Sequence, residues 1–196
     1  MTKIDISSTF IEKGLDLIKG FLEKLAGGTI EEAGLMFADK IRLRRLKNQI
    51  TILSKAQKIA TDANIDVKQI NYKILVPLLE YASLEEEESL QDKWACLISN
   101  YADSKQQYKN AIFPFILNQI TLEDIQYVTA ISGFKKRKYS QAEASQITVA
   151  NLVRLGLIER SSTAGYIYEE NEERPTYYGI TEIGRELLKV CNIPSI

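Results

Sequence analysis

The sequence predicts a mainly α-helical protein: an N-terminal multi-helix domain with one long helix, followed by a C-terminal winged-helix-like α+β module. Two observations support this fold class. Apolar residues recur at three- and four-residue spacing over most of the chain before Thr121. After Thr121 the pattern changes to helix, helix, two short strands and helix, the element order of a winged helix. We divide the chain into an amphipathic N-terminal helix (residues 1–28), a helical domain (29–118) and the winged-helix-like domain (119–196).

The first predicted helix covers residues 8–26. Its apolar side chains, with Leu17 and Phe21 widening the stripe, lie opposite a charged face. Gly27 and Gly28 end the helix, because glycine accepts the left-handed conformation that a helix C-terminus often needs. We expect this helix to pack in the core. An alternative is a membrane-active role after activation, although its balanced charge favours only weak binding to anionic lipid.

The second helix is predicted to begin at Thr29, which forms a capping box with Glu32, and to continue to about residue 63. At 1.5 Å per residue this long helix would extend about 45 Å. Its middle is rich in Lys and Arg. These side chains either solvate the outer face of the helix or contact an anion or a partner.

A third helix is predicted over residues 71–82 and contains Pro77. Ser83 is then expected to cap the next helix, with Glu86 as its capping-box partner and residues 85–88 in the first turn, where the helix dipole favours carboxylates. We interpret this acidic run as capping and solubilising rather than metal-binding, because consecutive helical residues point about 100° apart.

Two sets of core residues complete the helical domain. The fourth helix carries a predicted buried stripe of Leu90, Trp94, Leu97, Ile98 and Tyr101. A further short helix over residues 112–120 adds Phe113, Phe115, Ile116 and Ile120.

The C-terminal module has its own start and stop signals. Thr121 and Asp124 resemble a capping box at the start of a helix, and a second helix is predicted over residues 144–155, ending at Gly156. Thr181 is the predicted N-cap of the final helix. The two strands are predicted at residues 157–160 and 176–180.

The composition excludes most histidine-dependent chemistry. The chain has 196 residues and no histidine, which removes Ser-His-Asp triads, Cys-His dyads and His-bearing metal sites. It also lacks a phosphate-binding glycine loop, a dinucleotide-binding fingerprint and a CxxC pair. We therefore expect no catalytic residue, no cofactor and no metal, and predict that the protein is not an enzyme.

The cysteines and the hydropathy pattern favour the cytoplasm. Cys96 and Cys191 lie in helical apolar patterns and are interpreted as reduced core thiols. No signal-peptide pattern is present at the N-terminus, and no segment approaches the roughly 18 uninterrupted apolar residues of a membrane span.

The charge pattern favours a protein partner over nucleic acid. The 25 Lys and Arg against 26 Asp and Glu give a net charge of −1, so no global basic field attracts DNA. In the second helix of the module, Gln146, Thr148, Asn151 and Arg154 are polar but only Arg154 is cationic, and the segment between the strands is acidic. Tyrosines in that segment suit protein recognition. The candidate partner or nucleic-acid contacts are Arg42, Arg44, Arg45, Lys47, Lys135, Lys136, Arg137, Lys138, Arg154, Tyr166 and Tyr168.

Residues 75–103 resemble the signature of the abortive infection alpha family, P-L-L-E-x-A-S-L-E-x-x-x-x-L-Q-x-x-W-A-x-L. The similarity continues upstream through residues 39–49 and downstream through residues 151–158 and 178–185, so that it covers about residues 30–192. The resemblance implies a bacterial or prophage-encoded protein that takes part in phage exclusion. It brings no catalytic residues that can be transferred to this chain.

We combine these observations in one main hypothesis and two alternatives. The main hypothesis is a non-enzymatic phage-defence protein that contacts a phage or host protein, and homo-oligomerisation is left open. The first alternative is a transcriptional regulator that binds DNA through the winged-helix-like module. The second is a membrane-active effector that uses residues 8–26.

Overall fold

A computed structural model describes residues 6–27, 43–106, 109–132, 145–161 and 177–192. The protein is mainly helical with a small two-stranded sheet. The chain forms two compact units, Met1–Gln119 with Val190–Ile196, and Ile120–Lys189. The described helices are α1 (Ile6–Ala26), α2 (Leu43–Asp62), α3 (Tyr72–Ala82), α4 (Glu88–Ala102), α5 (Ile112–Leu117), α6 (Leu122–Ser132), α7 (Gln146–Arg154) and α8 (Glu182–Val190), and the strands are β1 (Ile158–Ser161) and β2 (Tyr177–Ile180).

Helix α1 packs against α2 in the first unit. The contact is close at Gly14, where an added Cβ would lie only 2.5 Å from Cγ2 of Ile50. The predicted end of the helix is confirmed at Gly27, which has a φ of 69°. The predicted widening of the apolar stripe is wrong at Leu17, which is 71% exposed, because the side of α1 that meets α2 is narrower than the apolar pattern. Among the α1 residues whose burial the structure describes, the buried ones are Gly14, Ile18, Phe21, Leu22 and Leu25.

Helix α2 is the central helix of the first unit, in contact with α1, α3 and α4. Ile50, Ile52, Leu53 and Ala56 are buried along it. The predicted start of the long helix at Thr29 and its capping box with Glu32 lie outside the described residues, so only the part from residue 43 onward is described.

The connection between α3 and α4 differs from the predicted capping box. Ser83 belongs to the end of α3, where its hydroxyl donates to the carbonyl of Glu80 at 2.5 Å. Helix α4 begins only at Glu88, with Glu87 as N-cap. Oε1 of Glu85 accepts from the backbone N–H groups of Glu86 and Glu87, at 3.0 Å each. The Ser83–Glu86 box is therefore wrong, because the Ser83 hydroxyl is already used by the preceding helix.

The core of the first unit centres on α4. The predicted stripe of Leu90, Trp94, Leu97, Ile98 and Tyr101 is confirmed as buried. The short helix α5 packs against α3, with Phe113, Ile116 and Leu117 buried. Phe115 is 49% exposed, contrary to the prediction, because in this short helix it lies on the same side as the exposed Ile112, three residues earlier.

The second unit is built from α6, α7, the sheet and α8. Helix α6 begins with the predicted capping box, in which Oδ2 of Asp124 accepts from the N–H of Thr121 at 2.8 Å and the hydroxyl of Thr121 accepts from the N–H of Asp124 at 3.2 Å. Gly156 ends α7 with a φ of 70°, and Thr181 caps α8 by accepting from the N–H of Gly184 at 3.0 Å. The strands are antiparallel, with the register Ile158↔Ile180, Glu159↔Gly179, Arg160↔Tyr178 and Ser161↔Tyr177.

Candidate partner-contact surface

Helix α7 presents a continuous outward side in the second unit. Ser145 caps the helix, accepting from the N–H of Thr148 at 3.0 Å. Thr148, Leu152 and Leu155 are buried. At about 100° per residue the exposed residues fall in one arc of about 120° on the opposite side. We call this arc the α7 outer face, defined by Gln146, Ile147, Ala150, Val153 and Arg154.

The α7 outer face is largely apolar. Ile147 is 82% exposed and Val153 is 43% exposed, and Ala150 between them is also exposed. The one charged group of the face is the Arg154 guanidinium, which donates to Oδ1 of Asn151 at 2.8 Å. This combination can bury apolar area against a partner and supply one charge-assisted hydrogen bond.

The charges of the second unit are nearly balanced. Its described acidic residues are Glu123, Asp124, Glu159, Glu182 and Glu186, and its described basic residues are Arg154, Arg160, Arg185 and Lys189. Such a balance supplies little of the phosphate attraction that accounts for most nonspecific DNA binding.

The other predicted contact residues lie in different parts of the chain. Arg44 and Arg45 lie in the first turn of α2, Arg45 is half-buried, and Lys47 is exposed. These residues belong to the first unit, whereas Arg154 belongs to the second. Arg42, Lys135, Lys136, Arg137, Lys138, Tyr166 and Tyr168 lie outside the described residues.

Helix α7 turns Thr148 inward and two apolar side chains outward. Thr148, one of the four polar side chains that the sequence places on this helix, is buried, and its Oγ1 lies 2.9 Å from Oγ of Ser145. Ile147 and Val153 were not among the predicted contact residues. A helical wheel places Ile147 about 140° away from Leu152, so the signal for its exposure was present in the spacing.

The acidic run at residues 85–88 contacts other residues of the first unit. Glu86, Glu87 and Glu88 are exposed, and Lys55 lies 3.8 Å from Oε1 of Glu88 and 2.7 Å from Oδ1 of Asp92. Across the described parts of the chain, no group of three or more His, Cys, Asp or Glu side chains is placed to hold a metal ion.

The polar side chains around this run hold backbone carbonyls. Nδ2 of Asn48 donates to the carbonyl of Ser83 at 3.1 Å, and Nε2 of Gln49 donates to that of Leu79 at 3.0 Å. Nε2 of Gln91 donates to the carbonyl of Glu85 at 3.0 Å. Amide groups from α2 and α4 therefore fix the connection that precedes α4.

Both cysteines are buried free thiols. Burial raises the pKa of Cys96 above its ordinary value, and it raises the pKa of Cys191 to about 12. Asn100 lies beside them: its Nδ2 donates to the carbonyl of Cys96 at 3.0 Å and to that of Val190 at 2.8 Å. Because thiolates are the reactive form of cysteine, protonated thiols in this setting have low nucleophilicity.

Helix α1 has used most of its described apolar side in the core. Ile18, Phe21, Leu22 and Leu25 are at most 9% exposed. None of the described helices combines the length and hydrophobicity that crossing a bilayer requires.

The fold and the exposed surface define the class of protein to which the chain belongs. Within the described residues, the chain is a helical protein of two units, whose second unit displays an exposed, largely apolar helix face. The chain belongs to the abortive infection alpha family, whose model matches residues 39–138, slightly more than half of the sequence. The match includes α2 to α6 and ends before α7. No curated protein and no solved structure matches the chain.

Proposed function

We propose that the chain is a cytoplasmic phage-defence protein that acts without catalysis, by binding a protein through the α7 outer face. Membership of the abortive infection alpha family supports the role in defence. The observation that carries the mode of action is the 82% exposure of Ile147 on a largely apolar helix face.

An apolar outer face favours protein over DNA as the partner. A helix that reads the major groove presents groups that hydrogen-bond to base edges, flanked by cations that neutralise phosphates. The α7 outer face has one cation, Arg154, and it is bonded to Asn151. Ile147, Ala150 and Val153 offer methyl groups instead. Full burial of an Ile or Val side chain in an interface contributes about 1.5–3 kcal/mol.

We also propose that the second unit is a winged-helix-like module used for protein contact. The order α6, α7, β1, β2, α8 and the antiparallel pairing of the strands support this proposal. In this arrangement α7 is the second helix of the module, the position that reads DNA in winged helices that bind it.

The test is the plating efficiency of a phage panel on a host that expresses the wild-type chain, Ile147→Asp or the control Gln126→Asp. Gln126 is exposed on α6 of the same unit, so the control adds the same charge away from the α7 outer face. We expect wild type and Gln126→Asp to protect, and Ile147→Asp to lose protection while it keeps the wild-type melting temperature.

Two results would overturn the proposal. Full protection by Ile147→Asp would show that the α7 outer face is not used, and a wild-type chain that restricts no phage would remove the role in defence. Binding of duplex DNA by the purified chain, with affinity that falls steeply as salt rises, would favour the regulator alternative.

A further inference from the structure

The residues of the α7 outer face are distributed symmetrically about Ala150. Helix α7 extends from Gln146 to Arg154, so Ala150 is its central residue. Ile147 and Val153 each lie three residues from Ala150, and both are exposed apolar side chains. Gln146 and Arg154 each lie four residues from it and are polar. In an antiparallel pair of such faces, apolar residues therefore lie at the height of apolar residues and polar residues at the height of polar residues.

We propose that the α7 outer face binds a second copy of this chain. The two α7 helices lie antiparallel, related by a two-fold axis that passes between the two Ala150 residues. The proposal rests on the proposed function, because it names the partner of the same face.

The apolar contacts follow from helix geometry. At a rise of 1.5 Å per residue, Ile147 and Val153 lie about 4.5 Å on either side of Ala150 along the axis. In the antiparallel pair, Ile147 of each copy therefore lies at the height of Val153 of the other. Ala150 is small at the crossing point, which allows the helix axes to approach to the short end of the 8–10 Å range.

The charges favour the antiparallel over the parallel arrangement. A parallel pair would place the two Arg154 guanidinium groups side by side, where like charges repel. The antiparallel pair separates them by about 12 Å along the axis, twice four residues. Each Arg154 then lies at the height of Gln146 of the other copy, whose amide oxygen can accept a hydrogen bond.

The contact is small for an interface. A stable dimer usually buries about 1,200–2,000 Å² in total, which is more than two nine-residue helix faces provide. We therefore expect a weak dimer that forms as the concentration of the protein rises. Self-association of this kind is concentration-dependent by mass action.

Disulfide crosslinking of the purified full-length chain tests the register. Under mild oxidation, Ala150→Cys is expected to give a crosslinked dimer, because its two copies face each other. Ile147→Cys mixed with Val153→Cys is expected to crosslink more than either variant alone. The control is Gln126→Cys, an exposed position of the same unit. The native thiols, Cys96 and Cys191, are 3% exposed.

Two crosslinking results would overturn the proposal. Crosslinking of Ala150→Cys no greater than that of the control would contradict any crossing at Ala150. Equal crosslinking of Ile147→Cys alone and of the mixture would contradict the antiparallel register. In that register the two Ile147 residues are about 9 Å apart along the axis.

Sedimentation equilibrium tests the dimer without introduced cysteines. We expect the wild-type chain to show concentration-dependent dimerisation and Ile147→Asp to weaken it at least tenfold, with Gln126→Asp unchanged. A wild-type chain that is monomeric up to millimolar concentration overturns the dimer.

The same variants separate this proposal from the proposed function. If wild type is monomeric but Ile147→Asp loses phage protection, the face binds a different protein, and only the dimer is wrong. If Ile147→Asp abolishes the dimer but protects fully, the dimer stands and the proposed use of the face in defence is wrong.

Discussion

Two glycines of α1 allow a matched test of how this helix is docked. Gly14 faces Ile50, and a Cβ built on it would lie 2.5 Å from Ile50 Cγ2, whereas a Cβ on Gly20 would have no neighbour within 4 Å. Carbon atoms in ordinary contact lie about 3.5–4.0 Å apart, so alanine at residue 14 requires a shift of roughly 1 Å. Ile50 cannot easily give way, because a β-branched side chain in a helix has one strongly preferred rotamer.

The two alanine variants should therefore change the free energy of unfolding by amounts that differ in sign or in size. Replacing glycine by alanine inside a helix stabilises it by about 0.8–1 kcal/mol, which is the effect expected for Gly20→Ala. For Gly14→Ala an overpacking cost of about 1–3 kcal/mol opposes the same gain. Gly14→Ala should then be less stable than Gly20→Ala by about 1–3 kcal/mol.

Urea denaturation followed by fluorescence of the single tryptophan measures this difference. Trp94 is buried in the same unit as α1, so its emission reports the unfolding of that unit. Equal stabilisation by both alanines would refute close packing of α1 on α2 at Gly14. The buried side of α1 would then be available for other contacts, and the membrane-active alternative would gain support.

Three further predictions concern the second unit, the buried thiol and the end of the chain. Gly184→Ala should destabilise the second unit by about 1–3 kcal/mol in thermal unfolding, because the added Cβ would lie 2.3 Å from the backbone oxygen of Leu157. Gly179→Ala is the control: its Cβ would have no neighbour within 4 Å, so this variant should change the stability little. The pKa of Cys191 is raised from 9.0 to about 12 by burial, so above pH 9 the unfolded chain loses a proton that the native chain keeps. The stability contributed by this group is therefore fully present below pH 9 and decreases as pH rises toward 12. Urea titrations across this pH range measure the decrease. A Cys191→Ala chain that loses the same stability at alkaline pH would contradict the assignment of this loss to Cys191. Asn100→Ala leaves the carbonyl of Val190 without its 2.8 Å donor and should cost about 1–3 kcal/mol in the tryptophan-monitored assay; an unchanged midpoint would show that the bond contributes nothing.

Local signals in the sequence predicted helix ends well. The Thr121–Asp124 box and the ends at Gly27 and Gly156 are confirmed. Each depends on residues within about four positions along the chain, and the chemistry of a cap or of a left-handed glycine is the same in any fold. Such features can be read without knowledge of the tertiary structure.

The connection before α4 could not be predicted in this way. Ser83 and Glu86 have the spacing of a capping box, but the Ser83 hydroxyl bonds to Glu80 instead. The amides of Gln49 and Gln91 donate to carbonyls on either side of Ser83, and Gln49 is 30 residues from its acceptor. Contacts over such separations help to select one of the possible local arrangements, and the local sequence does not contain them.

The sequence identifies only Arg154 of the α7 outer face as a candidate contact residue. Its charge marks it, whereas Ile147 and Val153 are apolar, and apolar residues in a helix are normally assigned to the core. Which side of α7 is buried depends on the packing of Leu152 against the rest of the second unit, and that packing is a property of the fold. The spacing separates Ile147 from Leu152 on the helix, but only the structure shows that the Leu152 side is the buried one.

The family match and the α7 outer face occupy different parts of the chain. The match ends at residue 138, before α7 begins at Gln146. Within it, distinctive side chains such as Ser99, whose hydroxyl donates to the carbonyl of Ala56 at 2.9 Å, and the fully buried Trp94 hold helices together. Substitutions at these residues should act through stability, whereas Ile147→Asp changes an exposed group and should act through binding. A loss of protection at unchanged stability would therefore locate the activity on the α7 outer face, outside the matched segment.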